Sequence, residues 1–293
     1  MTKEIKQVLA VCPPALEKAL LALPESVRRQ TEELRLRSGQ SAFALVGGKE
    51  LPLYGTTVDQ SCFEYVLGRA TGQAIYSARE MLRQGFLTLP GGHRVGVCGS
   101  GVYKNGELFT IREVSSMNLR VAREHRGVAD RAADYLWTRP HSTLIIGPPG
   151  RGKTTLLRDL VRQISDRFLW RVGLVDERME IASCYEGKPQ LAVGGHTDVL
   201  SGVKKAEGIE MLVRTMSPQW IAVDEITSEK DVKAMLRASY CGVSFLATAH
   251  AADKEELLRR PVYGELLQSG FFGNLLRLTL QRQVIGERME ANG

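Results

Sequence analysis

One stretch of eight residues constrains this chain more than any other. Gly147-Pro148-Pro149-Gly150-Arg151-Gly152-Lys153-Thr154 fits GxxxxGK[ST] at every fixed position. It lies between a short apolar run, STLIIG, and the helical pattern KTTLLRDLVRQIS, whose Leu156, Leu160 and Ile164 share one face. A strand that passes through a glycine-rich turn into a helix is the context in which this spacing forms a phosphate-binding loop. Glycines let backbone N–H groups close around phosphate oxygens, and the helix N-terminus adds its dipole. The expected contacts are Gly147, Pro148, Pro149, Gly150, Arg151, Gly152, Lys153, Thr154 and Thr155, with ATP and magnesium (Mg2+) as ligands. Lys153 is expected to reach the β- and γ-phosphates, and the Thr154 hydroxyl to ligate the metal. Such a loop touches phosphates rather than the base, so it leaves adenine and guanine undistinguished.

The rest of the second half follows the same grammar. RVGLVDE, WIAVDE and VSFLATAH are apolar strand patterns that each end in polar residues, and helical stretches alternate with them. This predicts an α/β fold, a P-loop (RecA-like) domain with a mostly parallel sheet and ligands at the strands' carboxyl ends. The first half reads as a smaller α+β domain. A helix over Leu16–Leu23 stops at Pro24, and strand patterns follow at EELRLRSG, SAFALVGG and KELPLYG. Helical patterns cover 59–71 and 74–84. A Gly91-Gly92 turn and an Asn105-Gly106 hairpin come next, then a helix over 123–137 that Arg139-Pro140 interrupts. The expected domains are 1–139, for subunit and partner contacts, and 140–293, for the nucleotide.

A P-loop needs a second carboxylate for the metal and another to handle water. Asp224 and Glu225 stand together at the end of WIAV, so Asp224 is the expected magnesium ligand and Glu225 the residue that activates water. Asp176, Glu177 and Glu180 follow another strand pattern, and His250 and Thr248 end a third; a histidine there is placed to sense the γ-phosphate. Taken alone, each of these is more often an ordinary polar loop residue. Trp137 is a candidate to stack on adenine, with packing the plainer expectation.

Composition narrows the classes that remain. The five cysteines are scattered and include no CxxC pair, which argues against a zinc ribbon or a disulfide framework and fits a reducing, cytoplasmic setting. No run approaches the ~18 apolar residues of a membrane span, and the N-terminal stretch is too short and interrupted for a signal peptide. The net charge is +6, with the excess in the first half, but arginines alternate with glutamates there instead of massing into a tract. A solvated surface is expected, and nucleic acid is not an expected partner. The helix over Leu16–Leu23 is expected to pack on its own domain rather than on a membrane partner.

The segments GPPGRGKTTLLRD, GLVDERMEIA, HTDVLSGVKKAEG, MSPQWIAVDEI and LATAHAAD, in this order, resemble the stage III sporulation protein AA family, within the wider class of type II and type IV secretion ATPases. ELRLRSGQ, GGHRVGVCG and NLRVAREH resemble the family's N-terminal region more loosely. The resemblance implies an ATP hydrolase acting as a homo-hexameric motor. It would power or assemble a mother-cell-to-forespore channel, reaching the membrane only through integral membrane partners of the same sporulation system. It places Asp176 at the class's acidic box, with the role open among Asp176, Glu177 and Glu180, and His250 at its histidine box. His196 stands where an arginine would be expected. A P-loop site on an open sheet is exposed on one side, so an arginine supplied by a neighbouring subunit is expected, from Arg112, Arg120, Arg123 or Arg126, with Arg120 favoured. Two other readings compete: an ATPase stimulated by nucleic acid, and a nucleotide-binding scaffold with little turnover.

Overall fold

Two sheets organise the computed structural model, which describes residues 2–72, 82, 85–279, 281 and 283–289. They belong to two compact units, one of Met1–Arg123 with Tyr185–Gln190, the other of Glu124–Cys184 with Leu191–Gly293.

The first unit carries helices α1 (Lys3–Leu9), α2 (Pro14–Leu21), α3 (Glu25–Gln30) and α4 (Gln60–Ala70). Its strands are β1 (Thr31–Arg37), β2 (Ala42–Val46), β3 (Lys49–Leu53), β4 (Phe86–Thr88), β5 (Arg94–Lys104) and β6 (Glu107–Arg120). They form one antiparallel sheet in the order β3-β2-β1-β6-β5-β4. Alternation along β1 turns Leu34 and Leu36 inward, where they join Ile5, Leu16, Leu20, Phe63 and Val66 in one core. The apolar face of α2 is thereby buried in its own unit. The hairpin at Asn105-Gly106 joins β5 to β6, with both turn residues at positive φ. The helix expected over 74–84 lies outside the described residues, apart from Leu82.

The second unit opens with α5 (Asp130–Thr138), which starts later than the expected residue 123 because Gly127, at φ +82°, turns the chain. It continues through β7 (Thr143–Ile146), α6 (Lys153–Phe168), β8 (Val172–Asp176), β9 (Thr197–Ser201), α7 (Lys205–Met216), β10 (Trp220–Val223), α8 (Glu229–Ser239) and β11 (Ser244–Ala249). Helices α9 (Lys254–Leu258) and α10 (Pro261–Gln268) and strands β12 (Asn274–Leu278) and β13 (Val284–Arg288) complete it. The sheet order is β13-β12-β7-β11-β10-β8-β9, parallel except for β13 on β12. The α/β architecture with a mostly parallel sheet is the one expected, and buried helices cover both of its faces.

The units divide at Arg123 and Glu124, ahead of the boundary expected at 139 and 140. The reason is α5. Its Ala132, Ala133 and Leu136 pack in one core with Leu156, Leu157 and Leu160 of α6. The Asp159 carboxylate accepts the Ala129 N–H at 2.9 Å, and Gln163 donates to Asp130 at 2.7 Å.

Candidate functional site

Register decides which side chains meet. Ile146 pairs with Ala249, Ala247 with Val223, and Val223 with Val175. The ends of β7, β11, β10 and β8 therefore lie along one edge, and each strand releases its polar residues there. The loop 147–152 leaves β7 with Gly150 at φ +70° and Gly152 at φ +96°, values that suit glycine, and enters α6 at Lys153.

Lys153 is buried at 6% exposure. Its ammonium donates to the carbonyls of Gly147 (2.8 Å) and Pro148 (3.1 Å) and to Nδ1 of His250 (2.7 Å). That last bond puts the ring proton of His250 on Nε2, which faces Glu225 Oε2 at 3.4 Å. Burial pushes the Lys153 ammonium down, while the Glu225 and Asp224 carboxylates pull it back up. Asp224 accepts from two hydroxyls, Thr248 Oγ1 at 2.7 Å and Thr154 Oγ1 at 3.3 Å. A carboxylate and a hydroxyl side by side at the head of the glycine-rich loop are hard oxygen donors, a set that fits a magnesium ion. Behind them Tyr263 donates to the Ile226 carbonyl at 3.0 Å and so braces the chain just after Glu225; burial, with Glu225 nearby, pushes its phenol up to about 12.

The second acidic cluster separates into different uses. Asp176, 1% exposed, spends both oxygens on backbone N–H groups: Glu180 (2.9 Å), Ile181 (3.1 and 3.2 Å) and Ala182 (2.8 Å). Burial pushes its carboxyl up, and those N–H donors oppose the rise. Arg158 closes the same turn from the other side, donating to the carbonyls of Ile181 (2.5 Å) and Glu180 (2.6 Å). Asp176, one of the three carboxylates among which sequence leaves the acidic-box role open, is placed here as the acceptor that holds this turn. Glu180 enters that turn through its backbone. Glu177 points elsewhere, to the ammonium of Lys205 at 2.5 Å. Val175, Glu177, Arg178, Lys205, Asp224 and Glu225 line a pocket of about 10 Å³. Sequence reasoning missed Lys205 and Arg158, although they lie in the segments HTDVLSGVKKAEG and GPPGRGKTTLLRD that carry the family resemblance.

A cleft of about 330 Å³ adjoins the other side of the loop, between Gly150–Gly152 and the side chains of His125, Val128, Leu278 and Val284. Trp137 is not part of it. It stacks on Phe168 at 4.5 Å, in a group that continues through Trp170 to Trp220. Trp220 opens β10 and Phe168 closes α6, so this stack sits at the end of the sheet opposite the loop. His196 is at that end too, its N–H donated to Ser165 Oγ at 2.7 Å. The four arginines differ in commitment. Arg120 pairs with Glu33 at 3.3 Å and Arg126 with Glu124 at 2.9 Å. Arg123 donates to the Arg29 and Thr31 carbonyls, and Arg112 is exposed.

The family model described as Sporulation stage III, protein AA matches residues 2–287. Stage III sporulation protein AA of Bacillus subtilis (strain 168) is 37% identical over 281 residues, which cover 94% of this chain and 91% of that protein. Among solved structures, the ATPase DotB of Legionella pneumophila matches with a TM-score of 0.60 at 15% identity, over 94% of this chain and 80% of its own. The pilus retraction motor PilT with bound ADP matches with a TM-score of 0.58 at 14% identity, over 89% and 79%. These two likenesses are of fold.

Proposed function

The chain belongs to the stage III sporulation protein AA family, and from that premise we propose that it is a magnesium-dependent ATP hydrolase. In this reading it works as a homo-hexamer in the mother-cell cytoplasm, powering or assembling a channel toward the forespore. It meets the membrane through integral membrane proteins of the same sporulation system. No helix among the described residues is long and apolar enough to cross a membrane. One observation carries the reading: at the strands' carboxyl ends Lys153 bonds His250, which faces Glu225, while the adjacent Asp224 accepts from Thr154 and Thr248.

Each residue has a task in that chemistry. The loop's N–H groups and Lys153 bind the β- and γ-phosphates, with Lys153 exchanging the Gly147 and Pro148 carbonyls for phosphate oxygens. Thr154 and Asp224 would hold the magnesium ion, which would supply charge neutralisation on those oxygens. Thr248 orients Asp224. Glu225 takes the proton of the attacking water, and His250, bonded to Lys153 on one side and facing Glu225 on the other, links phosphate binding to that base. The base and sugar occupy the cleft of His125, Val128, Leu278 and Val284, whose apolar walls suit a purine ring.

The test is paired phosphate-release and nucleotide-binding measurements. Lys153→Ala should lose both binding and turnover. Glu225→Gln should still bind ATP but turn over about 10²- to 10⁴-fold more slowly. Parental turnover in Glu225→Gln would remove the base from that position and leave Glu177 as the next carboxylate in the pocket.

A further inference from the structure

Lys205 is buried where a lysine is poorly accommodated. It is the first residue of α7, the end at which the helix dipole disfavours a cation, and it is 5% exposed. Buried lysines are retained where an anion is paired with them. Here the anion is Glu177, with the ammonium at 2.5 Å from Oε2. Glu177 itself stands in the turn after β8 with its side chain 35% exposed, so little besides this pair holds its rotamer.

Packing sets where the ammonium falls. A Cβ on Gly208 would lie 2.6 Å from Val175 Cγ1, and one on Gly173 would lie 2.8 Å from Leu212 Cδ1. Two glycines thus let α7 lie directly on β8, which brings the start of the helix over the residues that follow the strand. Between them is the pocket of about 10 Å³ shared by Glu177, Lys205, Asp224 and Glu225, the space that a single water occupies.

We propose that Lys205 is a positioning residue of the ATP site, holding the Glu177 carboxylate at the wall of this one-water pocket opposite Glu225. The proposal rests on the ATPase reading above. A water in the pocket donates one proton toward Glu225 and the other toward Glu177, which leaves a lone pair aimed at the γ-phosphate. As its oxygen bonds to phosphorus and the bond to the departing ADP oxygen breaks, the proton goes to Glu225. Lys205 touches none of the reacting atoms; it acts through the orientation of Glu177.

Turnover, ATP affinity and thermal unfolding of the full chain, measured for Lys205→Met, Lys205→Arg, Glu177→Gln and the Lys205→Met/Glu177→Gln double variant, test this. Lys205→Met should lower turnover by about 10- to 100-fold while ATP affinity and melting temperature stay with the parent. Lys205→Arg should retain most of the turnover. The double variant should be no slower than Glu177→Gln alone, because one residue works through the other. Parental turnover in Lys205→Met overturns the proposal, as do losses that multiply in the double variant, or a loss of ATP binding that accompanies the loss of turnover. If Lys205→Met does not fold, the double variant, which removes both partners, decides the matter against Glu177→Gln. A parent whose turnover is no greater than that of Glu225→Gln overturns the ATPase reading itself, and this proposal with it; parental activity with any of the preceding failures overturns the proposal alone.

Discussion

Asp176 and Asp224 follow neighbouring residues of two paired strands, Val175 and Val223, yet they face opposite demands. Asp224 meets two hydroxyls and remains available to a metal, whereas Asp176 is enclosed by backbone N–H groups and shapes a turn. The same principle, that surroundings assign the role, applies to His93 in the first unit. Its Nδ1 accepts the Ala122 N–H at 2.9 Å and its Nε2 faces Gln7 at 3.3 Å. Burial pushes the ring down from 6.5 to about 4. The unfolded chain therefore takes up a proton near pH 6.5 that the folded chain refuses until about pH 4. Stability is full above this window and falls as pH drops through it, by roughly 3 kcal/mol. His93→Asn keeps an acceptor for Ala122 but does not titrate. In denaturant unfolding at a series of pH values, the parent should lose that amount relative to the variant between pH 7 and pH 4. A difference that stays constant with pH would rule out His93 as its source.

At the scale of elements, the contact of α7 on β8 sets two effects of known size against each other. Gly208 lies inside a helix, where alanine is ordinarily worth up to about 1 kcal/mol over glycine. The added Cβ would, however, meet Val175 Cγ1 at 2.6 Å, and overpacking of this kind costs about 1–3 kcal/mol. The clash should win. Gly208→Ala is expected to lower the denaturation midpoint and, by lifting the start of α7, to slow turnover as well. A more stable Gly208→Ala protein with parental turnover would show that α7 is free to shift. The elements that sequence patterns missed or misplaced each have a local reason. Strand β9 is half-exposed along its whole length at the sheet edge, so it carries no apolar run. Strand β12 is buried between β13 and β7, the latter far earlier in the chain, so its place shows only in the tertiary structure. The helix expected from residue 123 was misplaced by a glycine whose positive φ could not be told from composition.

For the whole molecule, the proposed ring makes a demand on the arginines. Arg120 is itself 60% exposed, and its partner Glu33 keeps the Arg35 guanidinium and the Asn118 amide, so Arg120 can leave the pair at little cost to reach a neighbour's phosphate. Arg123, bonded to two backbone carbonyls of its own unit, is less free to do so. Arg120→Ala and Glu225→Gln proteins, each expected to be inactive alone, should recover some turnover when mixed, since a mixed ring pairs an intact arginine with an intact base. If mixed rings form and no rescue appears for Arg120 or for Arg112, Arg123 and Arg126 tested in the same way, sites shared through these arginines should be abandoned.

Local spacing alone made the glycine-rich loop 147–152, the strand–turn–helix around it, the strand-end position of Asp224-Glu225 and the α/β class readable, because each depends on residues adjacent in the chain or on a regular apolar period. Tertiary structure decided the rest. It alone joined Lys153 to His250, 97 positions apart, gave Asp176 to a turn, set Trp137 at the far end of the sheet, and brought Lys205 to Glu177. Those outcomes rest on burial and on pairing between distant segments, where the register of parallel strands and the close approach of a helix through two glycines determine which polar groups meet.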